Sequence, residues 1–153
     1  KVKNACLHVS EQGKVRAIYR KIHLFDVDLP DGTKLEESAT VEAGTDVVVT
    51  DTRAGRLGLS VCYDLRFPEL YRRLVDQGAT LLTVPAAFTL TTGKDHWHVL
   101  LRARAIEAQF ADPWGTVLAE CGEGEGYALA NIDLGFVESV RRTLPSLRHR
   151  RVG

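Results

Sequence analysis

Cys62 is the side chain whose position best suits covalent chemistry. The mostly apolar run over residues 57–61 predicts a buried strand that ends at this cysteine, and a helix-like segment follows from residue 68. A sharp turn at such a junction exposes the sulfur, and the free N–H groups at a helix start favour the nucleophilic thiolate. The same pattern also fits a buried cysteine that packs as a small apolar residue, and the local sequence leaves both interpretations open.

Other residues of types that bind metals or nucleic acids are present, but their spacing favours neither function. His96 and His98 stand two residues apart in a predicted helix, so they do not share a face, and the chain has no HExxH motif. We therefore expect no metal site. Cys6 and Cys121 are expected to be spectators. The basic residues 148–151 are typical of a solvated or interface segment, and the formal net charge of zero argues against a nucleic-acid partner.

The composition is that of an ordinary globular protein. The 153 residues are enough for one domain, and no apolar run approaches the roughly 20 residues of a membrane span, so we expect no membrane association. The three cysteines form no CxxC pair, and this odd count favours a reducing compartment such as the cytoplasm. The chain contains no methionine and its first residues read as the middle of a fold, so we expect a piece of a longer chain.

The hydrophobic pattern predicts the elements that position these residues. Strands are predicted over residues 5–9, 15–19, 46–51, 57–61, 79–84, 117–119 and 127–132, and helices over residues 68–77, 95–109 and 135–144. The first two strands are predicted to pair as a hairpin, and so are the third and fourth. Residues 26–45 and 85–94 are predicted to be loops, the second at a strand end where α/β proteins commonly bind ligands. This series predicts a layered α/β fold.

Ordered motifs along the chain resemble those of a known family. They are YRKIHL at residues 19–24, CYDLRFPE at 62–69, and HW at 96–97 with LRARAIE at 101–107, and the DPWG turn at 112–115 fits as well. This ordered set resembles the nitrilase superfamily of carbon–nitrogen hydrolases and is most similar to its Nit amidase branch. The resemblance implies an α-β-β-α sandwich, here one incomplete carbon–nitrogen hydrolase domain over residues 1–153. It also implies a homodimer or higher homo-oligomer and no cofactor.

The resemblance also implies a catalytic site built on a Glu-Lys-Cys triad. Cys62 matches the nucleophile and Lys21 the triad lysine. Glu37 matches a further active-site glutamate, although its neighbour Glu36 competes for that assignment. The backbone N–H of Tyr63, together with Lys21, would face the developing oxyanion.

Three further residues are predicted to line the substrate pocket. They are Phe88, Thr92 and Trp97, for which ordinary loop and helix packing is the alternative. The charged residues of the CYDLRFPE motif are expected to form a network that fixes the turn after the nucleophile, and these are Asp64, Arg66 and Glu69.

The chain departs from the family pattern in two places. The triad glutamate lies in a region before the lysine that has no counterpart here. The only acid before Lys21 is Glu11, in a predicted hairpin turn, and it is not assigned the role. Family members also carry a strand and a loop between the long helix and the DPWG turn, where this chain has only Phe110 and Ala111.

The predicted function is thiol-dependent hydrolysis of a small-molecule amide, with release of ammonia through a cysteine thioester. The resemblance favours deaminated glutathione or a related ω-amide as substrate over 2-oxoglutaramate. Both substrates carry carboxylates, so a cationic contact is expected, and the sequence does not identify which residue supplies it. The alternative is a catalytically inactive scaffold or interaction subunit, if the chain is really this short.

Overall fold

The computed structural model describes residues 1–28, 32–122 and 124–151. In this part of the chain, the strands are β1 (Ala5–Val9), β2 (Val15–Arg20), β3 (Asp26–Asp28), β4 (Lys34–Glu36), β5 (Val49–Thr52), β6 (Gly55–Leu59) and β7 (Leu81–Thr83). The helices are α1 (Pro68–Asp76), α2 (Leu90–Ala108) and α3 (Leu134–Thr143). Short 3-10 helices cover Glu37–Ala39, Cys62–Arg66 and Ser146–Arg148.

The strands form small sheets that follow the predicted hairpins. β1 and β2 pair antiparallel with Leu7 opposite Ile18, and β5 and β6 pair antiparallel with Thr50 opposite Leu57. β7 adds to β6 in parallel, and α1 is the connection between them. Both predicted hairpins are therefore confirmed, and the parallel pair places the turn after β6 beside the loop after β7.

The core lies between the β5–β6–β7 sheet and the first two helices. Leu59 of β6, Leu65 and Leu74 are almost fully buried, and Tyr19 of β2 and Phe110 join the same cluster. α1 buries its apolar stripe because its apolar residues recur at helical spacing. This cluster surrounds the chain on both sides of Cys62, so the turn that carries the cysteine is built on packed core.

The structure differs from the sequence-based prediction in four segments. The region predicted as one long loop over residues 26–45 contains the β3–β4 hairpin. α2 begins at Leu90 rather than at residue 95. The threonines and Gly93 of this stretch are weak helix formers, which is why the sequence predicted a loop. The Gly93 N–H nevertheless donates to the Thr89 carbonyl at 2.7 Å, so helical hydrogen bonding starts here. Residues 117–119 and 127–132 are not strands.

The missing strands have a physical reason. A strand is stable only when its N–H and C=O groups pair with a neighbouring strand. No such neighbour lies beside residues 127–132 in the described part of the chain, and Tyr127 and Leu129 are 84% and 83% exposed.

Within the described part of the chain, no helix is both long enough and apolar enough to cross a membrane.

Candidate active site

Cys62 occupies a sharp turn between β6 and α1. Its φ angle is 50°, in the left-handed region that side chains other than glycine rarely adopt. The turn is held by hydrogen bonds to the segment after β7, from the Ser60 N–H to the Thr83 carbonyl at 3.2 Å and from the Cys62 N–H to the Pro85 carbonyl at 2.9 Å. Cys62 is a free thiol and only partly buried. Backbone strain of this kind is found where a side chain must be presented to a ligand.

A small pocket opens beside this thiol. Its described lining combines the turn after β6, the loop that leads into α2 with the first turn of that helix, and one aromatic ring from the loop after β2. The residues are Phe25, Cys62, Tyr63, Arg66, Ala87, Phe88, Thr89 and Thr92. Phe88 and Thr92 thus line the same pocket as Cys62. Trp97 lies beside the pocket rather than among the residues that line it, with its ring against the edge of Phe88 at a centroid distance of 5.1 Å.

Lys21 and Glu37 form an ion pair in which the lysine is buried and the glutamate is partly buried. Lys21 is 3% exposed, and its Nζ lies 2.5 Å from Glu37 Oε2. The same carboxylate accepts hydrogen bonds from Asn4 Nδ2 at 2.9 Å and from the Phe25 N–H at 2.7 Å. The competing residue, Glu36, is an exposed residue of β4. Among the two neighbouring acids, the structure therefore pairs Glu37 with the lysine.

The hydrogen bonds to Glu37 determine its charge. Burial by itself would raise the pKa of the Glu37 carboxyl, but the hydrogen bonds from Lys21, Asn4 and Phe25 outweigh burial and hold that pKa below its usual range. Glu37 is consequently an anion at neutral pH. A carboxylate with its oxygens engaged in this way is a poor proton acceptor and a good anchor for an ammonium group.

The backbone around Lys21 is fixed on both sides. The Lys21 N–H donates to the Asn4 carbonyl at 2.8 Å, and the Lys21 carbonyl accepts from the Gly44 N–H at 2.8 Å. Gly44 approaches so closely that a Cβ atom at this position would lie 2.2 Å from the Arg20 carbonyl oxygen. Only glycine fits there, and this close approach explains how a residue at a strand end is held in one place.

Phe25 connects the ion pair to the cysteine pocket. Its N–H binds Glu37, its ring lines the pocket beside Cys62, and the same ring contacts the edge of Tyr63 at a centroid distance of 4.9 Å. Tyr63 lies in the first turn of the 3-10 helix, where N–H groups lack acceptors within the helix. The structure thus brings Lys21, Glu37 and the Cys62 turn into one neighbourhood.

Arg66 has a different environment from the one expected. The sequence placed it in a charged network, yet its Nη1 lies 3.3 Å from His96 Nδ1 and its guanidinium stands 5.3 Å from the ring centre of Phe88. No carboxylate partner is recorded for it among the described residues. Arg66 therefore presents an uncompensated positive charge at the pocket that holds Cys62.

Several site residues escaped sequence reasoning. Asn4 and Phe25 carry no local signal, because their partner Glu37 is 33 and 12 residues away along the chain. Arg66 had a signal, since it stands only four residues after Cys62 in the same motif. Glu11, the unassigned acid, forms a surface ion pair with Arg53 at 2.8 Å.

The two histidines lie in separate environments. His98 Nε2 lies 3.2 Å from Glu120 Oε1, whereas His96 contacts Arg66. Within residues 1–28, 32–122 and 124–151, no three His, Cys, Asp or Glu side chains are grouped as a metal ion would require.

Replacing Glu37 by glutamine is expected to lower stability in a pH-dependent way. The folded-state pKa of Glu37 is depressed, so its contribution is fully present above the unfolded-state pKa and is lost as the pH falls through the folded-state pKa. We expect a loss of about 1.5–3 kcal/mol near neutral pH, the usual range for a hydrogen bond to a charged group. Urea unfolding of both proteins should show this difference shrinking as the pH falls below the ordinary glutamate pKa of about 4.3.

The matched control for this prediction is Glu42→Gln. Glu42 also pairs with a lysine, Lys3, at 3.0 Å, but its side chain is 63% exposed. Solvent screens such a pair, so Glu42→Gln should change stability little at any pH. A Glu37→Gln difference that stays constant with pH would contradict the assignment of Glu37 as a partly buried carboxylate anion.

Comparisons with known proteins agree with the fold and the motifs. The family model described as "Carbon-nitrogen hydrolase" matches residues 1–111. A deaminated glutathione amidase from Synechocystis sp. is 47% identical over 175 residues, which is 98% of this chain and 64% of that relative. The chain therefore belongs to the carbon–nitrogen hydrolase family. It spans less than two thirds of this relative, and the aligned stretch exceeds 153 residues, so the relative has residues with no counterpart here.

Solved structures extend the comparison to three dimensions. The NitFhit protein of C. elegans superposes with a TM-score of 0.91 at 43% identity, covering 97% of this chain and 42% of that chain. A mutant of the amidase from Nesterenkonia sp. AN1, which carries the product of Michael addition of acrylamide at its active-site cysteine, has a TM-score of 0.67 at 27% identity, covering 90% of this chain and 59% of that one. The predicted nitrilase-type α/β fold is confirmed.

Proposed function

We propose that this protein hydrolyses a small-molecule amide with Cys62 as the nucleophile. The observation that carries the proposal is the position of a partly buried thiol, at a left-handed turn, on the wall of a pocket that Phe25 connects to the Lys21–Glu37 ion pair. Family membership supports it, and so does the cysteine that acrylamide modifies in the Nesterenkonia amidase. The proposed unit is one incomplete carbon–nitrogen hydrolase domain over residues 1–153.

The proposed reaction proceeds in two steps. The Cys62 thiolate attacks the amide carbon, and the carbonyl oxygen becomes an oxyanion that Lys21 and the Tyr63 N–H stabilise. The C–N bond then breaks, the nitrogen leaves as a protonated amine, and a thioester on Cys62 remains. Water attacks that thioester, the C–S bond breaks, the carboxylic acid leaves, and the Cys62 thiol is regenerated.

Proton transfer in these steps needs a general base. Glu37 is unsuited to it because its oxygens are occupied by Lys21, Asn4 and Phe25. We assign Glu37 the role of holding the Lys21 ammonium in place. The base is the triad glutamate that the resemblance implies, which has no counterpart in the sequence before Lys21.

Arg66 supports a substrate that carries a carboxylate. It lines the Cys62 pocket and forms no ion pair with an acid among the described residues. An anionic group of the substrate would therefore pair with its positive charge. The Synechocystis relative is named for deaminated glutathione. Both this compound and 2-oxoglutaramate carry carboxylates. We propose deaminated glutathione or a related ω-amide. A primary ω-amide releases ammonia, whereas the substituted amides of deaminated glutathione release an amine.

Arg66→Met is expected to weaken binding of anionic amides selectively. Loss of a charge-assisted hydrogen bond of about 1.5–3 kcal/mol should raise KM about 10- to 150-fold for an amide with a carboxylate. The KM of a neutral amide of similar length should change little. Steady-state kinetics on both substrates test this, with Arg53→Met, at an 86% exposed arginine, as the matched control. An equal rise in KM for both substrates would contradict the assignment.

The proposed function is tested by assaying the purified protein against a panel of amides. We expect release of ammonia from primary ω-amides, release of a primary amine from deaminated glutathione, and a mass adduct on the peptide that contains Cys62 when a slow substrate is used. An adduct on Cys6 or Cys121 instead, or no product from any amide in a folded protein, would overturn the proposal.

A second candidate is a catalytically inactive interaction subunit. The observation that favours it is the described lining of the Cys62 pocket, which contains no aspartate or glutamate to act as the base. A folded protein that releases no product from any amide would support this candidate. An intact-mass measurement on the natural protein complements the assay, because a mass well above 16.9 kDa would leave room for the missing base.

We further propose a cytoplasmic homodimer or higher homo-oligomer that acts without partners other than its substrate. The three free cysteines support a reducing compartment. Exposed apolar side chains support association, among them Leu7, Val99, Tyr127 and Leu129. Light scattering on the purified protein tests this, since a monomer at micromolar concentration would contradict it.

A further inference from the structure

Asp64 is a fully buried carboxylate that the proposed reaction does not use. Its Oδ2 accepts hydrogen bonds from the Tyr19 hydroxyl at 2.7 Å and from the Val61 N–H at 2.8 Å. Its Oδ1 accepts from the His23 N–H at 3.1 Å and lies 2.7 Å from His23 Nδ1. A buried charge is stable only when its oxygens are hydrogen-bonded, and these contacts meet that requirement.

The partners of Asp64 flank the two residues that carry the proposed reaction. Val61 immediately precedes Cys62, whereas Tyr19 and His23 stand two residues before and two residues after Lys21. The hydrogen bonds to Tyr19 and His23 cross 45 and 41 residues of sequence. One carboxylate therefore joins the turn that holds the cysteine to the segment that holds the lysine.

Both side-chain donors are themselves fixed. Tyr19 is fully buried and its hydroxyl oxygen accepts the Ile22 N–H at 3.2 Å. Burial and the Asp64 carboxylate raise the pKa of Tyr19, so it stays protonated and donates at any physiological pH. The His23 ring is stacked on Phe67 with centroids 3.7 Å apart and planes 5° apart. Neither donor can turn away from Asp64 without disrupting packed neighbours.

We propose that Asp64 is a positioning residue that holds the Lys21 segment and the Cys62 turn in one fixed relation. The inference rests on the proposed function, because it gives Lys21 and Cys62 their roles. The physical reason is that the other contacts between the two segments are ring contacts and apolar packing, such as Phe25 with Tyr63 and His23 with Phe67, which tolerate sliding. Hydrogen bonds to one carboxylate instead fix distance and direction. A small displacement of the ammonium would lower both thiolate formation and oxyanion stabilisation.

The test measures the reactivity of Cys62 directly. The rate of alkylation by iodoacetamide near neutral pH is followed at peptide level by mass spectrometry in the purified protein and in Asp64→Asn, with the exposed Cys121 as internal reference. Asparagine keeps the shape but presents an NH₂ group to donors that need an acceptor. We expect the Cys62 rate to fall about tenfold, as for a thiol pKa raised by one unit, with Cys121 unchanged and kcat falling more than KM rises.

A double-variant comparison separates positioning from a general structural role. If Asp64 acts through Lys21, Lys21→Met should slow Cys62 alkylation in the otherwise unchanged protein and add little in the Asp64→Asn background. Fully multiplicative effects would overturn the proposal. Asp76→Asn is the matched control, because Asp76 forms a half-exposed ion pair with Arg150 and should leave Cys62 reactivity unchanged.

A milder variant covers the case in which Asp64→Asn does not fold. Tyr19→Phe removes one donor and keeps the ring, and we expect a smaller fall of the Cys62 rate, at least about twofold, in the same direction. An unchanged Cys62 rate in folded Asp64→Asn, or in Tyr19→Phe, would refute positioning and leave the proposed function intact. Conversely, the protein could turn over no amide while Cys62 is alkylated more slowly in Asp64→Asn. That result would refute the proposed function and leave the positioning role of Asp64 intact.

Discussion

Cys62→Ala is expected to reduce amide hydrolysis to the background rate, a loss of at least about 10⁴-fold in kcat. Without the thiolate no thioester forms, and the remaining groups of the site can only assist a direct attack by water. Ammonia or amine release from the best substrate measures the loss. The adduct that a slow substrate leaves on the Cys62 peptide should disappear in the same variant.

The fold is expected to survive this substitution. Cys62 is partly exposed, and the backbone N–H groups of Ser60 and Cys62 hold the turn through hydrogen bonds that do not involve the sulfur. Cys121→Ala is the matched control, because Cys121 is an exposed cysteine in the segment after the DPWG turn. Turnover retained by a folded Cys62→Ala protein would exclude this residue as the nucleophile.

The turn around Cys62 could be predicted because local sequence determines it. An apolar strand followed by a helix start leaves few places for a cysteine, and the hairpin signals around residues 11–13 and 52–55 are equally local. The identities of Lys21 and Glu37 came from motif resemblance rather than from physics. Their pairing is a contact across 16 residues that no periodicity encodes.

The remaining features depend on tertiary contacts. Asp64 reads locally as a charged residue that caps a turn, and only the folded chain shows that Tyr19 and His23 meet it. Residues 127–132 have the composition of a strand, yet composition provides no partner edge, so the segment forms no regular structure and stays exposed. Long-range contacts, rather than propensity, decide these positions.

Lys21→Met is expected to lower kcat about 100- to 1,000-fold with little change in KM. Methionine keeps the length and apolar stem of the side chain but removes the charge, so the loss corresponds to one oxyanion donor of about 2.7–4 kcal/mol. Because binding of the uncharged amide makes little use of that charge, the effect belongs to the transition state. Steady-state kinetics with a primary ω-amide separate the two parameters.

Stability must be measured alongside, since Lys21→Met also leaves the Glu37 carboxylate without its cation. Glu37 keeps its hydrogen bonds from Asn4 and Phe25, so the protein should fold, with a loss of stability that Glu37→Gln in the same chain partly relieves. Lys3→Met is the matched control, because it breaks the exposed Lys3–Glu42 pair and should alter neither kcat nor KM. A rise in KM with unchanged kcat in Lys21→Met would instead make Lys21 a binding residue. A group that stabilises only the oxyanion has no charge to interact with in the neutral amide of the ground state, so its loss should leave KM unchanged.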